Sequence, residues 1–125
     1  MSFNFEEIGK SFAKVYYDAF DNNRPSLVHL YNEGSMLTFE GDQFAGTEGI
    51  MKKLLGLPFK SVKHVLTTID CQPTQQNGVL VFVLGQLKTD DDPPHGFSQT
   101  FHLIPSGPSN YVVLNDIFRL SLHHG

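Results

Sequence analysis

A chain of 125 residues, 40% of them hydrophobic and eleven of them phenylalanine, is long enough for one domain with a real core, spanning 1–125. Its net charge of −4 argues against nucleic acid as the main partner, and the single Cys71 excludes an intramolecular disulfide and fits a reducing compartment. Glu6 and Glu7 stand where a secretory leader needs a basic region before an apolar run, and no segment approaches a membrane span.

Residues 3 to 20 predict a long amphipathic helix. Phe5, Ile8, Phe12, Val15, Tyr16, Ala19 and Phe20 recur at three- and four-residue spacing. Asn4 is the expected cap, with Glu7 as its capping-box partner and Phe3 and Ile8 as a hydrophobic staple. Asp21-Asn22-Asn23 stops the helix. Pro25 opens a second, short helix through Leu27, Val28, Leu30 and Tyr31, ended by Gly34. Met36 to Glu40 alternates as a strand, Gln43-Phe44 returns, and Thr47 to Leu55 is a third helix ended by Gly56 and Pro58.

The main sheet begins at residues 60 to 71. Strict alternation puts His64 and Asp70 on one face with Val62, Leu66 and Thr68. A hairpin with an Asn77-Gly78 turn leads to a strand at 79 to 89. An acidic turn, a strand at 96 to 104, a turn through Pro105 to Asn110 and a last strand, Tyr111 to Leu122, complete the chain. Helices first and an antiparallel meander after give the α+β class.

On the strand 79 to 89, Val79, Val81 and Val83 share one face and Leu80, Phe82 and Leu84 the other. A sheet with one wet face alternates with polar residues, so both faces of this one need cover. The long helix covers one, and no helix is left for the second. The expectation is a homodimer packed sheet to sheet, with the same face used by both copies. Phe82 is assigned to that dimer interface. His64 is assigned there too, with the pocket as its other location; a buried, hydrogen-bonded histidine is expected rather than a catalyst.

Asp90-Asp91-Asp92, followed by Pro93-Pro94, is an acidic turn with no evident fold-making role and only Lys88 nearby to neutralise it. It reads as a surface waiting for a basic partner or a cation, or as a solvated hairpin tip that blocks edge pairing. No cofactor or metal is expected. The aspartates lack the alternating spacing, glycine and distal glutamate of an EF-hand, and His123-His124 is too little for a site. There is no glycine-rich phosphate loop and no nucleophile elbow. A helix wrapped by a curved sheet leaves a conical pocket, and a cavity enzyme of the isomerase or dehydratase type would draw on Tyr16, Tyr17, Asp18, Tyr31 or Asp116. No pair among them stands out by spacing.

The run Val15 to Arg24 resembles the first-helix signature of the nuclear transport factor 2 family. So do Leu37-Thr38-Phe39-Glu40-Gly41, Lys53 to Phe59, Gly85 to Lys88 running into the aspartates, and Asn115 to Leu120. The resemblance is collinear over nearly the whole chain. It implies a cone: a long N-terminal helix and two shorter helices packed on a strongly curved, mainly antiparallel sheet. It also implies a homodimeric carrier, not an enzyme, that binds the GDP form of the small GTPase Ran and FG-repeat nucleoporins. Such a carrier works in cytoplasm and nucleus and is enriched at the nuclear pore. By matching motif, the acidic rim for Ran is Glu40, Asp90 and Asp92. The apolar pocket is Phe39, Leu57, Val62, Ile117 and Phe118, and nucleoporins are met by Phe5. An adaptor binding a different protein through the same fold is the alternative. Two departures stand out. The family often has tryptophan where Phe39 stands, and His95 sits beside the acidic turn where relatives tend to be apolar, so it is left outside the site.

Overall fold

The computed structural model describes residues 3–121; the His123-His124 pair and the last residue of the expected final strand lie outside them. The long helix, α1 (Phe5–Asn22), begins two residues later than its apolar spacing suggests. Asn4 caps it. Its side chain accepts from the Glu7 N–H at 3.2 Å, and its amide donates to Glu7 Oε1 at 3.0 Å, so Glu7 answers the cap through the side chain rather than the backbone. The buried stripe is Phe12, Ala13, Tyr16, Tyr17 and Phe20. Val15, expected on that stripe, is 56% exposed, because the adjacent pairs 12/13 and 16/17 centre the buried face on its other side.

A 3-10 helix, Arg24–Leu30, follows with Pro25 in its first turn. It ends before Tyr31, not at Gly34 as expected. Tyr31 is 5% exposed and extended, and it opens β1 (Tyr31–Phe39), paired with Val113. The helix gives way because the Tyr31 phenol is held in a buried hydrogen-bond network described below. The chain continues as β2 (Asp42–Ala45), α2 (Gly46–Leu55), β3 (Val62–Thr74), a short 3-10 turn, β4 (Gly78–Thr89), β5 (His95–Pro105) and β6 (Tyr111–Ser121).

The strands form one sheet in the order β2-β1-β6-β5-β4-β3. Every pair is antiparallel except β1 with β6. The expected α+β architecture is therefore the one found: helices packed on one side of a curved, mainly antiparallel sheet. Two glycines set the close approaches. A Cβ on Gly9 would strike Cys71 Sγ, so α1 lies directly on β3; a Cβ on Gly85 would strike the Val65 carbonyl and the Phe97 ring.

Gly85 faces the one irregularity that overturns the expected facing of β3. Leu66 pairs with Gly85 and Thr68 with Leu84, so Thr67 is an extra residue, a β-bulge. Alternation restarts there. Val62, His64 and Leu66 face the helix side, and beyond the bulge Ile69 and Cys71 do, while Val65, Thr67 and Asp70 are exposed. His64 and Asp70 thus lie on opposite faces. His64 also lies opposite Phe82, with which it was expected to share the dimer interface.

Under the helices, Val79, Val81, Val83, Phe97, Phe101 and Leu103 are at most 2% exposed. Side chains of this kind contribute roughly 1.5–3 kcal/mol each when fully buried. The other side of β4 has no such cover: Leu80, Phe82 and Leu84 are 36, 37 and 41% exposed.

Candidate functional site

The concave side of the sheet closes into an apolar cup near the C-terminal end of α1. Phe20 comes from α1, Leu37 and Phe39 from β1, Leu54 from α2, Leu57 and Phe59 from the loop after it, Val62 and Leu87 from β3 and β4, and Phe118 from β6. The Phe39 and Phe118 rings stack with centroids 4.7 Å apart and form one wall. Free volume in the cup is about 30 Å³, far below the roughly 300–1,000 Å³ of a small-molecule site. As it stands the cup has no room for an enclosed substrate.

Three polar side chains, Tyr16, His64 and Gln99, reach the floor. His64 Nδ1 lies 2.6 Å from Asp21 Oδ1, and its backbone N–H donates to Asp21 Oδ2 at 2.9 Å. Its side chain is 3% exposed and packs on Tyr17, Phe20 and Phe97. The buried, hydrogen-bonded histidine expected from the sequence is what the fold contains.

Beneath the floor, hydrogen bonds converge on Asp116, which is 1% exposed. From one side Tyr17 OH donates to Gln99 Oε1 at 2.7 Å, and Gln99 Nε2 to Asp116 Oδ1 at 2.8 Å. From the other Tyr31 OH donates to Oδ2 at 2.8 Å, with Tyr16 OH 3.1 Å from Tyr31 OH. Burial pushes the Asp116 carboxyl up to about 6, against the donors, and holds all three phenols well above their ordinary range. Both Asp116 oxygens are occupied within the network and neither lines the cup. Of the residues expected to serve cavity chemistry, Tyr16, Tyr17, Tyr31 and Asp116 form this structural network, and Asp18 lies outside it, exposed and accepting from Asn22 Nδ2 at 2.9 Å.

The three acids expected at the rim differ in what they hold. Glu40, at φ +52°, continues the parallel β1–β6 ladder: its N–H donates to the Phe118 carbonyl at 3.1 Å, and its Oε1 accepts from the Leu120 N–H at 2.6 Å. Asp90, at φ +48°, accepts from the Ser61 N–H at 2.9 Å and the Lys60 N–H at 3.1 Å. The Ser61 backbone bond leads in holding its carboxyl below the ordinary range. The acidic turn therefore does have a fold-making role: Asp90 ties it to the loop entering β3. Lys88 spends its ammonium on the Asp90 main-chain carbonyl, 2.7 Å away, not on a carboxylate. Asp91 and Asp92 are exposed, and the Asp92 carboxylate has only a 3.5 Å contact with Thr89 Oγ1. Lys53 lies over the Phe39 and Phe44 rings at 5.2 and 5.6 Å, so the rim also carries a cation.

Four of the five residues expected in the pocket, Phe39, Leu57, Val62 and Phe118, line the cup. Ile117 does not. It adjoins Phe118 on β6, strand alternation turns it to the opposite face, and it is 49% exposed there. Its rung runs Phe82–Thr100–Ile117, placing it two strands from Phe82 on the uncovered face. Phe5 is half-buried at the first turn of α1, fifteen residues before Phe20, or roughly 22 Å along the helix. Sequence reading missed Asp21 and Gln99. Gln99 carried a signal: it is the one polar residue among the inward positions 97, 99, 101 and 103, and such a residue needs a buried partner. Among the described residues no cluster of His, Cys, Asp or Glu could hold a metal ion, and no helix is long and apolar enough to cross a membrane.

The profile of the nuclear transport factor 2 (NTF2) domain matches residues 8–120. Nuclear transport factor 2 of Oryza sativa is 52% identical over 118 residues, covering 93% of this chain and 96% of the relative. That of Saccharomyces cerevisiae is 49% identical over 123 residues, covering 97% and 98%. The solved structure of nuclear transport factor 2 from Cryptosporidium parvum superimposes with a TM-score of 0.91 at 46% identity, covering 94% of each chain. The chain belongs to the nuclear transport factor 2 family and is a non-enzymatic nuclear transport factor.

Proposed function

We propose that this chain is a homodimeric carrier that binds Ran in its GDP form at the cup and brings it into the nucleus, engaging FG-repeat nucleoporins on the way. The observation that carries the reading is the cup: an apolar mouth of Phe39, Leu57, Val62 and Phe118 bordered by Glu40 and the turn holding Asp90 and Asp92. An aromatic side chain of the partner is the anchor, entering as the stacked Phe39 and Phe118 rings give way. Basic residues around it pair with the rim, with Asp92 free to do so and Glu40 and Asp90 fixed in position. Charge pairs desolvated around an apolar anchor supply register and specificity. Discrimination against GTP rests with the partner, whose switch loops move when the γ-phosphate is present.

The two copies meet through the uncovered face. Leu80, Phe82, Leu84 and Ile117 supply it, and His64 takes no part. Their exposure of 36 to 49% in one copy is the supporting observation. Phe5 meets the nucleoporin repeats at the far end of α1, where weak, rapidly released contacts suit passage through a pore. The carrier is thus placed in cytoplasm and nucleus, enriched at the pore. Calorimetric titration against Ran tests the reading: saturable binding to the GDP-loaded form and none to Ran loaded with a non-hydrolysable GTP analogue is expected, and binding to neither overturns it.

A further inference from the structure

We propose that Arg24 is a positioning residue of the cup, whose guanidinium fixes the loop between α2 and β3 as the cup's wall. Arg24 starts the 3-10 helix directly after α1. Its guanidinium carbon lies 4.6 Å from the centroid of the Phe59 ring and 4.9 Å from that of Phe20. Its Nη1 donates to the Leu54 carbonyl at 3.3 Å and its Nε to the Phe20 carbonyl at 3.4 Å. Phe20, Leu54 and Phe59 all line the cup, while Arg24 does not. One side chain therefore joins the end of α1, the end of α2 and the loop beyond.

That loop has few hydrogen bonds. At its start the Gly56 N–H donates to the Lys52 and Lys53 carbonyls; at its end the Lys60 and Ser61 N–H groups donate to Asp90. Between them, among the described residues, no hydrogen bond involves Leu57, Pro58 or Phe59. Leu57 and Phe59 pack against the core, and the Arg24 plane adds the directional contact that ties Phe59 to the ends of α1 and α2. Only arginine can do this. A planar cation stacks on rings while its edge donates along fixed directions, whereas a lysine ammonium is a point charge with no face. The consequence for binding rests on the partner reading above; the effect on the loop does not.

The test uses Arg24→Lys and Arg24→Met in the full chain. Hydrogen exchange is followed at the loop's hydrogen-bonded amides, Gly56, Lys60 and Ser61, and, as a control, at 79–84 and 97–103. Both substitutions are expected to speed exchange in the loop by roughly tenfold and to leave the control segments at wild-type rates, with lysine failing to rescue despite its charge. Affinity for Ran–GDP falls with the loop's order, and adding Arg24→Met to Phe59→Ala costs less affinity than Arg24→Met does in the wild type, because the two share the Arg24–Phe59 contact. Unchanged loop exchange overturns the proposal. So does a rise in the control segments that matches the loop, which would make Arg24 a general stabiliser. Full additivity with Phe59→Ala also overturns it. If the wild-type chain does not bind Ran–GDP, the partner reading falls and exchange alone judges Arg24.

Discussion

Ile117 and Phe118 are consecutive in β6 and serve opposite sides of the sheet: Phe118 is 5% exposed in the wall of the cup, and Ile117 is 49% exposed on the face no helix covers. Changes at the two positions therefore separate two properties. Ile117→Glu should yield a folded monomer by sedimentation, since each dimer would bury two uncompensated carboxylates. Phe118→Ala should leave the dimer and lower fold stability by roughly 3–5 kcal/mol, read from a denaturant midpoint. A dimeric Ile117→Glu would remove this face from the interface.

The rim acids should separate in the same way. Asp90→Ala removes the acceptor for Lys60 and Ser61 and should lower the melting temperature; Asp92→Asn should not. Because the Asp90 carboxyl titrates below its ordinary range in the fold, its contribution is present above that range and is lost as pH falls through the lowered value. The gap between the melting curves of the wild type and Asp90→Ala should narrow under acid, leaving the pH-independent cost of alanine at φ +48°. A constant gap across that pH range would contradict the account.

Asp116 should show the opposite sign. Its carboxyl titrates at about 6 in the fold, above the ordinary 3.8, so the native state takes up the proton more readily than the unfolded chain. The stability this contributes is complete below about pH 4 and is lost as pH rises through about 6. The difference between wild type and Asp116→Asn should therefore shift by on the order of 3 kcal/mol between pH 4 and 7, in favour of the wild type at the acid end. Urea midpoints at the two pH values measure it, and a difference that does not change with pH would contradict it.

Phe5 and the cup lie at opposite ends of α1. Phe5→Ala should weaken binding of an FG-repeat peptide, read by NMR line broadening, while Ran–GDP binding stays as in the wild type. Loss of both together would place the two ligands on one site.

Much of this was legible in the residues. The spacing of Phe12, Tyr16 and Phe20 announces α1, Asn4 and Glu7 mark its start, and the two apolar faces of β4 announce an uncovered surface. What was not legible depends on single residues with distant partners. Thr67 carries no bulge signal, yet it reverses the facing of everything after it in β3. Tyr31 continues a helical pattern but is drawn into a strand by Asp116, 85 residues away. Asp21 reads as a helix stop and becomes the partner of His64, 43 residues on. Ile117 is different: carried over by resemblance, it conflicted with the simple rule that neighbours in a strand face opposite ways.

The central claim is that the cup and its acidic rim receive Ran–GDP, and Asp92 tests it most directly because its side chain carries little of the fold. Calorimetric titration of Asp92→Lys beside the wild type, both verified as folded dimers, is the measurement. The account predicts that Ran–GDP affinity falls by roughly 2–5 kcal/mol with the melting temperature unchanged. Wild-type affinity in Asp92→Lys would place the partner elsewhere on the molecule.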